Sequence, residues 1–257
     1  KNVKPNSEFI VYYTVSEKDL GINLLTFNGD EGEKGYFLLM ASPKYQINNN
    51  DIVPKNVIFV LDTSGSMSGE KIEQAKNALK FCLNNLNKSD YFNIITFNDS
   101  VETYKKGLLK VNDNNVRKAL KFVEGLEAGG GTNIDEALRN GLNLDKNSNH
   151  TSTVLFLTDG QPTAGVTNTS AILDNLKKYN SEKAKIFVFG VGFDVNIQFL
   201  DKIATQQHGD SGYVRPEENI ESTVSGIFTK INMPVLTNLK IDYSNVDIVQ
   251  SYLSEKG

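Results

Sequence analysis

Unbroken apolar runs organise this chain. Val57-Ile58-Phe59-Val60-Leu61 and Val154-Leu155-Phe156-Leu157 each run without a polar break toward an Asp, the pattern of strands buried on both faces of a parallel sheet. Between them the period changes. Ile72, Ala75, Leu79, Cys82, Leu83 and Leu86 form one apolar stripe and predict a helix over about 70–86. The same reading predicts strands at 91–97, 153–158 and 185–190, an edge strand at 101–105 after the turn Asn98-Asp99-Ser100, and a short strand at 212–214. Helices are expected near 115–126, 134–144, 170–179 and 196–206. A last helix, 217–231, would pack through Ile220, Val224, Ile227, Phe228 and Ile231. Buried strands alternating with helices require an α/β fold with a doubly wound, mostly parallel sheet, because parallel neighbours need helical crossovers.

The flanks lack helical periods. Residues 9–15, 22–27 and 36–41 are short strand candidates separated by polar turns, and 237–243 and 246–252 read the same way after Pro234. The ends of a compact domain tend to lie close together. The expectation is a β-rich flank at 1–54, an α/β domain at 55–233, and a second β-rich flank at 234–257 that pairs with the first as a small β-module.

The chemistry gathers where buried strands end. After Leu61 come Asp62, Ser64 and Ser66 at alternate positions, which an extended turn aims at one point while Gly65 allows the bend. Gly129-Gly130-Gly131-Thr132-Asn133 precedes a helical run and offers a third hydroxyl, and the second buried strand ends in Thr158-Asp159. Ligands of open parallel sheets bind beyond the carboxyl ends of the strands. An all-oxygen nest of two carboxylates and three hydroxyls suits Mg²⁺, with Mn²⁺ or Ca²⁺ as substitutes.

Asp62-x-Ser64-x-Ser66, then Thr132, then Asp159 resembles the metal-ion-dependent adhesion site of von Willebrand factor A domains, without departure from the pattern. The resemblance covers roughly 55–233. Its loops, Ser64-Gly65-Ser66-Met67-Ser68-Gly69, Gly130-Gly131-Thr132-Asn133-Ile134, Leu157-Thr158-Asp159-Gly160-Gln161-Pro162-Thr163 and Gly190-Val191-Gly192-Phe193-Asp194, look most like the inter-alpha-trypsin inhibitor heavy chain branch. The resemblance implies a metal held by neutral hydroxyls, with Asp62 and Asp159 acting largely through water. Such a cation keeps positive charge for a partner protein's Asp or Glu. It implies a non-enzymatic adhesion-type module outside the cytoplasm, against an intracellular assembly or chaperone-type factor using the same site. The last helix would be the part that moves on ligand binding.

Composition excludes some partners. The 257 residues are 39% hydrophobic and 23% charged, values of an ordinary globular chain, and a net charge of −4 without a basic stripe gives no reason to expect nucleic acid. No apolar run approaches the ~20 residues of a membrane-spanning helix. Cys82, alone, reads as a buried inert thiol. An EF-hand spacing from Asp62 to Glu73 fails, because Met67 stands where glycine is required. A nucleophile elbow at 65–69 puts Met67 where the serine belongs. His150 and His208, in polar runs, read as exposed loop residues, which disfavours a metal-assisted hydrolase. Asp99, Asp135, Asp194 and Asp201 are expected as caps or solvated groups.

Overall fold

A computed structural model of the chain describes residues 20–27, 35–43, 54–144, 150–181, 183–215, 218, 220–232 and 250. Two compact units are present, Lys1–Ile52 with Val235–Asp242, and Val53–Pro234 with Tyr243–Gly257. Of the first, the described residues form strands β1 (Leu20–Phe27) and β2 (Tyr36–Pro43), paired antiparallel with Leu24 opposite Leu39. The strand candidates at 9–15 and 237–243, and 246–252 apart from residue 250, lie outside the described residues.

The second unit is the α/β domain. Its strands are β3 (Lys55–Asp62), β4 (Tyr91–Phe97), β5 (Val101–Thr103), β6 (Leu109–Lys110), β7 (Thr151–Thr158), β8 (Lys185–Val191) and β9 (Ser211–Val214). Its helices are α1 (Glu70–Asn84), α2 (Asp113–Glu124), α3 (Ile134–Asn143), α4 (Thr169–Tyr179), α5 (Ile197–Gln206) and α6 (Ile220–Asn232). The sheet runs β5-β4-β3-β7-β8-β9, with β6 also beside β4. From β4 to β9 the pairings are parallel, and only β5 and β6 run antiparallel.

Strand alternation explains the two layers. Val57, Phe59 and Leu61 face one core with Ala75 and Leu79 of α1, Val123 of α2 and Phe228 of α6. Ile58 and Val60 face the other with Leu138 of α3, Ile172 of α4 and Leu200 of α5. Both faces of β3 are therefore covered, which is why its apolar run has no polar alternation. Cys82 is buried, and burial pushes its thiol well above the usual range.

The register then positions the chemistry. Leu61 pairs with Leu157. The next residue on each strand, Asp62 and Thr158, thus lies at the same carboxyl edge of the sheet.

Candidate metal centre

Asp62 is fully buried and held by two short hydrogen bonds. Ser64 donates its backbone N–H to Asp62 Oδ1 at 2.8 Å, and Thr158 Oγ1 donates to Asp62 Oδ2 at 2.5 Å. Gly160 N–H in turn donates to Thr158 Oγ1 at 2.9 Å, which orients that hydroxyl. The Ser64 and Ser66 hydroxyl oxygens are 3.1 Å apart, Ser64 buried and Ser66 exposed. Ser66 lies in a single 3-10 turn, Gly65–Met67, which Ser64 immediately precedes and which Met67 anchors in the core.

Backbone bonds tie the glycine loop to this turn. Gly65 N–H donates to Gly130 O at 2.9 Å, and Gly129 N–H donates to Thr63 O at 2.8 Å. Gly130 has φ +83°, in the left-handed region, and a Cβ there would collide with the Asp99 carboxylate. Thr132 is buried. Its N–H donates to Thr163 Oγ1 at 2.9 Å, and its carbonyl accepts from Thr163 N at 3.0 Å. The strands and loops predicted to carry Asp62, Ser64, Ser66, Thr132 and Asp159 thus meet at one end of the sheet.

Asp159 is fully buried, and its Oδ1 accepts no hydrogen bond among the described residues. Its Oδ2 has a distant cation, Lys71 Nζ at 3.5 Å. Burial pushes the Asp62 carboxyl up to about 6; its bonds from Thr158 and Ser64 oppose the rise and the charge of Asp159 adds to it. Two buried carboxylates side by side, one with an orphaned oxygen, are costly unless a cation joins them. No group of three or more His, Cys, Asp or Glu gathers among the described residues, so the hydroxyls would have to complete a cation's shell. This donor set fits a hard divalent cation.

Residues that sequence reasoning missed surround these five. Thr158 could have been found from strand register. Lys71, the second residue of α1, reads in sequence as a solvated helix start. In the fold its Nζ also lies 2.6 Å from Asp194 Oδ1. Burial alone would lower the Lys71 ammonium, but Asp194 and Asp159 together hold it above its ordinary value. Asp194 is pulled down chiefly by its bond from Lys71.

Two expectations need correction. Asp135 is no solvated group: it is buried and accepts from Asn175 Nδ2 at 2.9 Å and Tyr179 Oη at 3.1 Å, because α3 packs on α4. His150 is half-buried and stacks on Tyr91 with ring centroids 5.4 Å apart. It precedes β7, and His208 follows α5 next to the start of β8, so both lie at the opposite edge of the sheet from Asp62. Neither can serve as a base there. Neither serine caps α1, whose N-cap is Gly69.

Comparison with known proteins agrees with this architecture. The family model of the von Willebrand factor type A domain matches residues 56–228, and the chain belongs to that family. It is 31% identical over 253 residues to human inter-alpha-trypsin inhibitor heavy chain H2, covering 95% of this chain and 26% of that protein. The chain thus spans about a quarter of the length of the curated relatives it matches. A von Willebrand factor type A structure from Catenulispora acidiphila superposes with a TM-score of 0.66 at 19% identity, covering 84% of this chain and 50% of that one. Proximal thread matrix protein 1 from the mussel byssus, in a structure described as having a zinc-occupied MIDAS motif, gives a TM-score of 0.59 at 21% identity, covering 71% and 47%. Both likenesses show the shared fold. The family is one of metal-dependent protein-interaction modules. Among the described residues, no helix is long and apolar enough to cross a membrane.

Proposed function

We propose that this chain is a non-enzymatic, divalent-cation-dependent binding module. Asp62, Ser64, Ser66, Thr132 and Asp159 would hold Mg²⁺, or Mn²⁺ or Ca²⁺ in its place, for capture of an Asp or Glu side chain of a partner protein. One observation carries the reading: Asp159 Oδ1 is buried, without a partner among the described residues, beside a second buried carboxylate and a pair of hydroxyls. When bound, the cation supplies positive charge that an external carboxylate can neutralise. The chain's residues supply the rest. Thr158 and Ser64 fix both oxygens of Asp62, the core anchors the serine turn through Met67, and Thr163 fixes the backbone of Thr132.

The rim of the site also supports a protein ligand. Of the α/β unit's described residues, Phe193 and Ile197 are its exposed large apolar side chains, and they bracket Asp194. Asn196 N–H donates to Asp159 O at 3.1 Å, so this loop borders the centre. An apolar pair beside a charged centre suits a partner surface. The likeness to inter-alpha-trypsin inhibitor heavy chains supports an extracytoplasmic location.

N-acetyl-aspartate amide serves as a minimal ligand. In nuclear magnetic resonance titrations it should shift backbone signals of residues 64–66 and 131–133 in Mg²⁺ and leave them unmoved in chelator. Equal shifts in both conditions would remove metal-mediated capture.

A further inference from the structure

Lys71 reaches the centre from the side. Its Nζ lies 2.6 Å from Asp194 Oδ1 and 3.5 Å from Asp159 Oδ2. The side chain is 16% exposed, between an Asp159 that is fully buried and an Asp194 that is 60% exposed. The fold makes room for it: Gly192 has φ +117°, and a Cβ there would overlap Cε of Lys71. The loop on its far side is pinned where Gln161 Nε2 donates to Asp194 O at 2.6 Å. A lysine ammonium is a point charge with three donors on a flexible stem, so it can pass between two carboxylates without backbone motion.

We propose that Lys71 is a tethered cation competing with the divalent metal for Asp159. In the metal-free protein it partners the buried carboxylate, and in the loaded protein it is confined to Asp194. This rests on the metal-site reading above. The two oxygens of Asp159 divide the roles: among the described residues Oδ1 has no partner, whereas Oδ2 has the ammonium. A buried carboxylate left without any cation is strongly destabilising, so Lys71 keeps the metal-free site folded. A divalent charge at Asp159 repels the ammonium, and the repulsion is weakly screened because Asp159 is buried. Asp194 lowers the cost of displacement by offering a second partner. Lys71 therefore opposes metal binding, and Asp194 assists it.

The two residues then have opposite signs in one experiment. Mn²⁺ is titrated by calorimetry into metal-stripped wild type, Lys71→Met, Lys71→Arg and Asp194→Asn at pH 7.5, and thermal unfolding is recorded with chelator and with saturating Mn²⁺. Lys71→Met should bind Mn²⁺ on the order of tenfold more tightly. Asp194→Asn should bind it several-fold more weakly, and Lys71→Arg should stay near wild type. Lys71→Met should also unfold at lower temperature in chelator, with the deficit shrinking in Mn²⁺. Weaker or unchanged binding by Lys71→Met, or tighter binding by Asp194→Asn, overturns the proposal; a lysine that merely pins the loop would weaken binding in both. Should Lys71→Met fail to fold without metal, the sign for Asp194→Asn decides. If wild type takes up no Mn²⁺, the metal-site reading itself fails, a different result from same-sign effects in variants of a metal-binding wild type.

Discussion

The hydroxyl of Thr158 donates to Oδ2 of Asp62 at 2.5 Å, joining the carboxyl ends of two adjacent strands. This bond opposes the rise of the Asp62 carboxyl and fixes the direction of its oxygens. Thr158→Val keeps the shape and removes the donor. At pH 8 it should cost about 1–3 kcal/mol of metal-free stability in urea unfolding, because a buried carboxylate oxygen loses its partner. The Asp62 carboxyl should titrate above its present value of about 6, as followed by side-chain carboxyl ¹³C shifts. An unchanged titration would mean that the bond does not hold the ionised form.

The same carboxyl sets a pH dependence. Its folded value, about 6, lies above the roughly 3.9 of an unfolded aspartate, so between these values the folded state binds the extra proton. For this group, metal-free stability rises as pH falls from 7 toward 4 and declines as pH rises through 6. Metal binding needs the ionised form and should run the other way, with affinity dropping roughly tenfold per pH unit below 6. Mn²⁺ calorimetry at pH 7, 6 and 5 measures this. Equal affinity across that range would exclude Asp62 as a group deprotonated by the metal.

At the opposite edge of the sheet, Lys55 and Asp90 form a buried ion pair at 2.7 Å, and Asp90 also accepts from Asn87 N at 3.0 Å. Lys55→Met would leave Asp90 buried without its cation. The expected cost is about 3–5 kcal/mol, with Mn²⁺ affinity per folded molecule unchanged. Chemical denaturation checks the first part and calorimetry the second. A loss below about 1 kcal/mol would show that the buried Asp90 carboxylate does not depend on the Lys55 ammonium.

Much of this was legible in the chain. The run 57–61 and its trailing Asp62 predicted a two-face-buried strand ending in chemistry, and β3 is that strand. The strand at 91–97 matches β4 residue for residue. What escaped depends on distance in sequence. Lys71 meets residues 88 and 123 positions away, and Asp135 meets Asn175 and Tyr179, 40 and 44 positions away, so no local pattern reveals either. The two residues of β6 are too few to show alternation. Helix α2 begins at Asp113, earlier than its apolar stripe suggests, because Asn112 accepts from Asn115 N and caps it. The metal ligands themselves are legible only as a pattern of side chains, and their ligation is a matter for titration.

The most direct measurement is Mn²⁺ calorimetry of metal-stripped wild type against Asp62→Ala, Ser66→Ala and Asp159→Ala, with circular dichroism to confirm the fold. The account predicts one site per wild-type molecule. Binding should fall at least about tenfold in each variant, since loss of a residue that only orients a metal ligand already costs about that much, while the sheet stays folded because its apolar strands carry the core. Mn²⁺ affinity unchanged in Asp62→Ala or Asp159→Ala would contradict it.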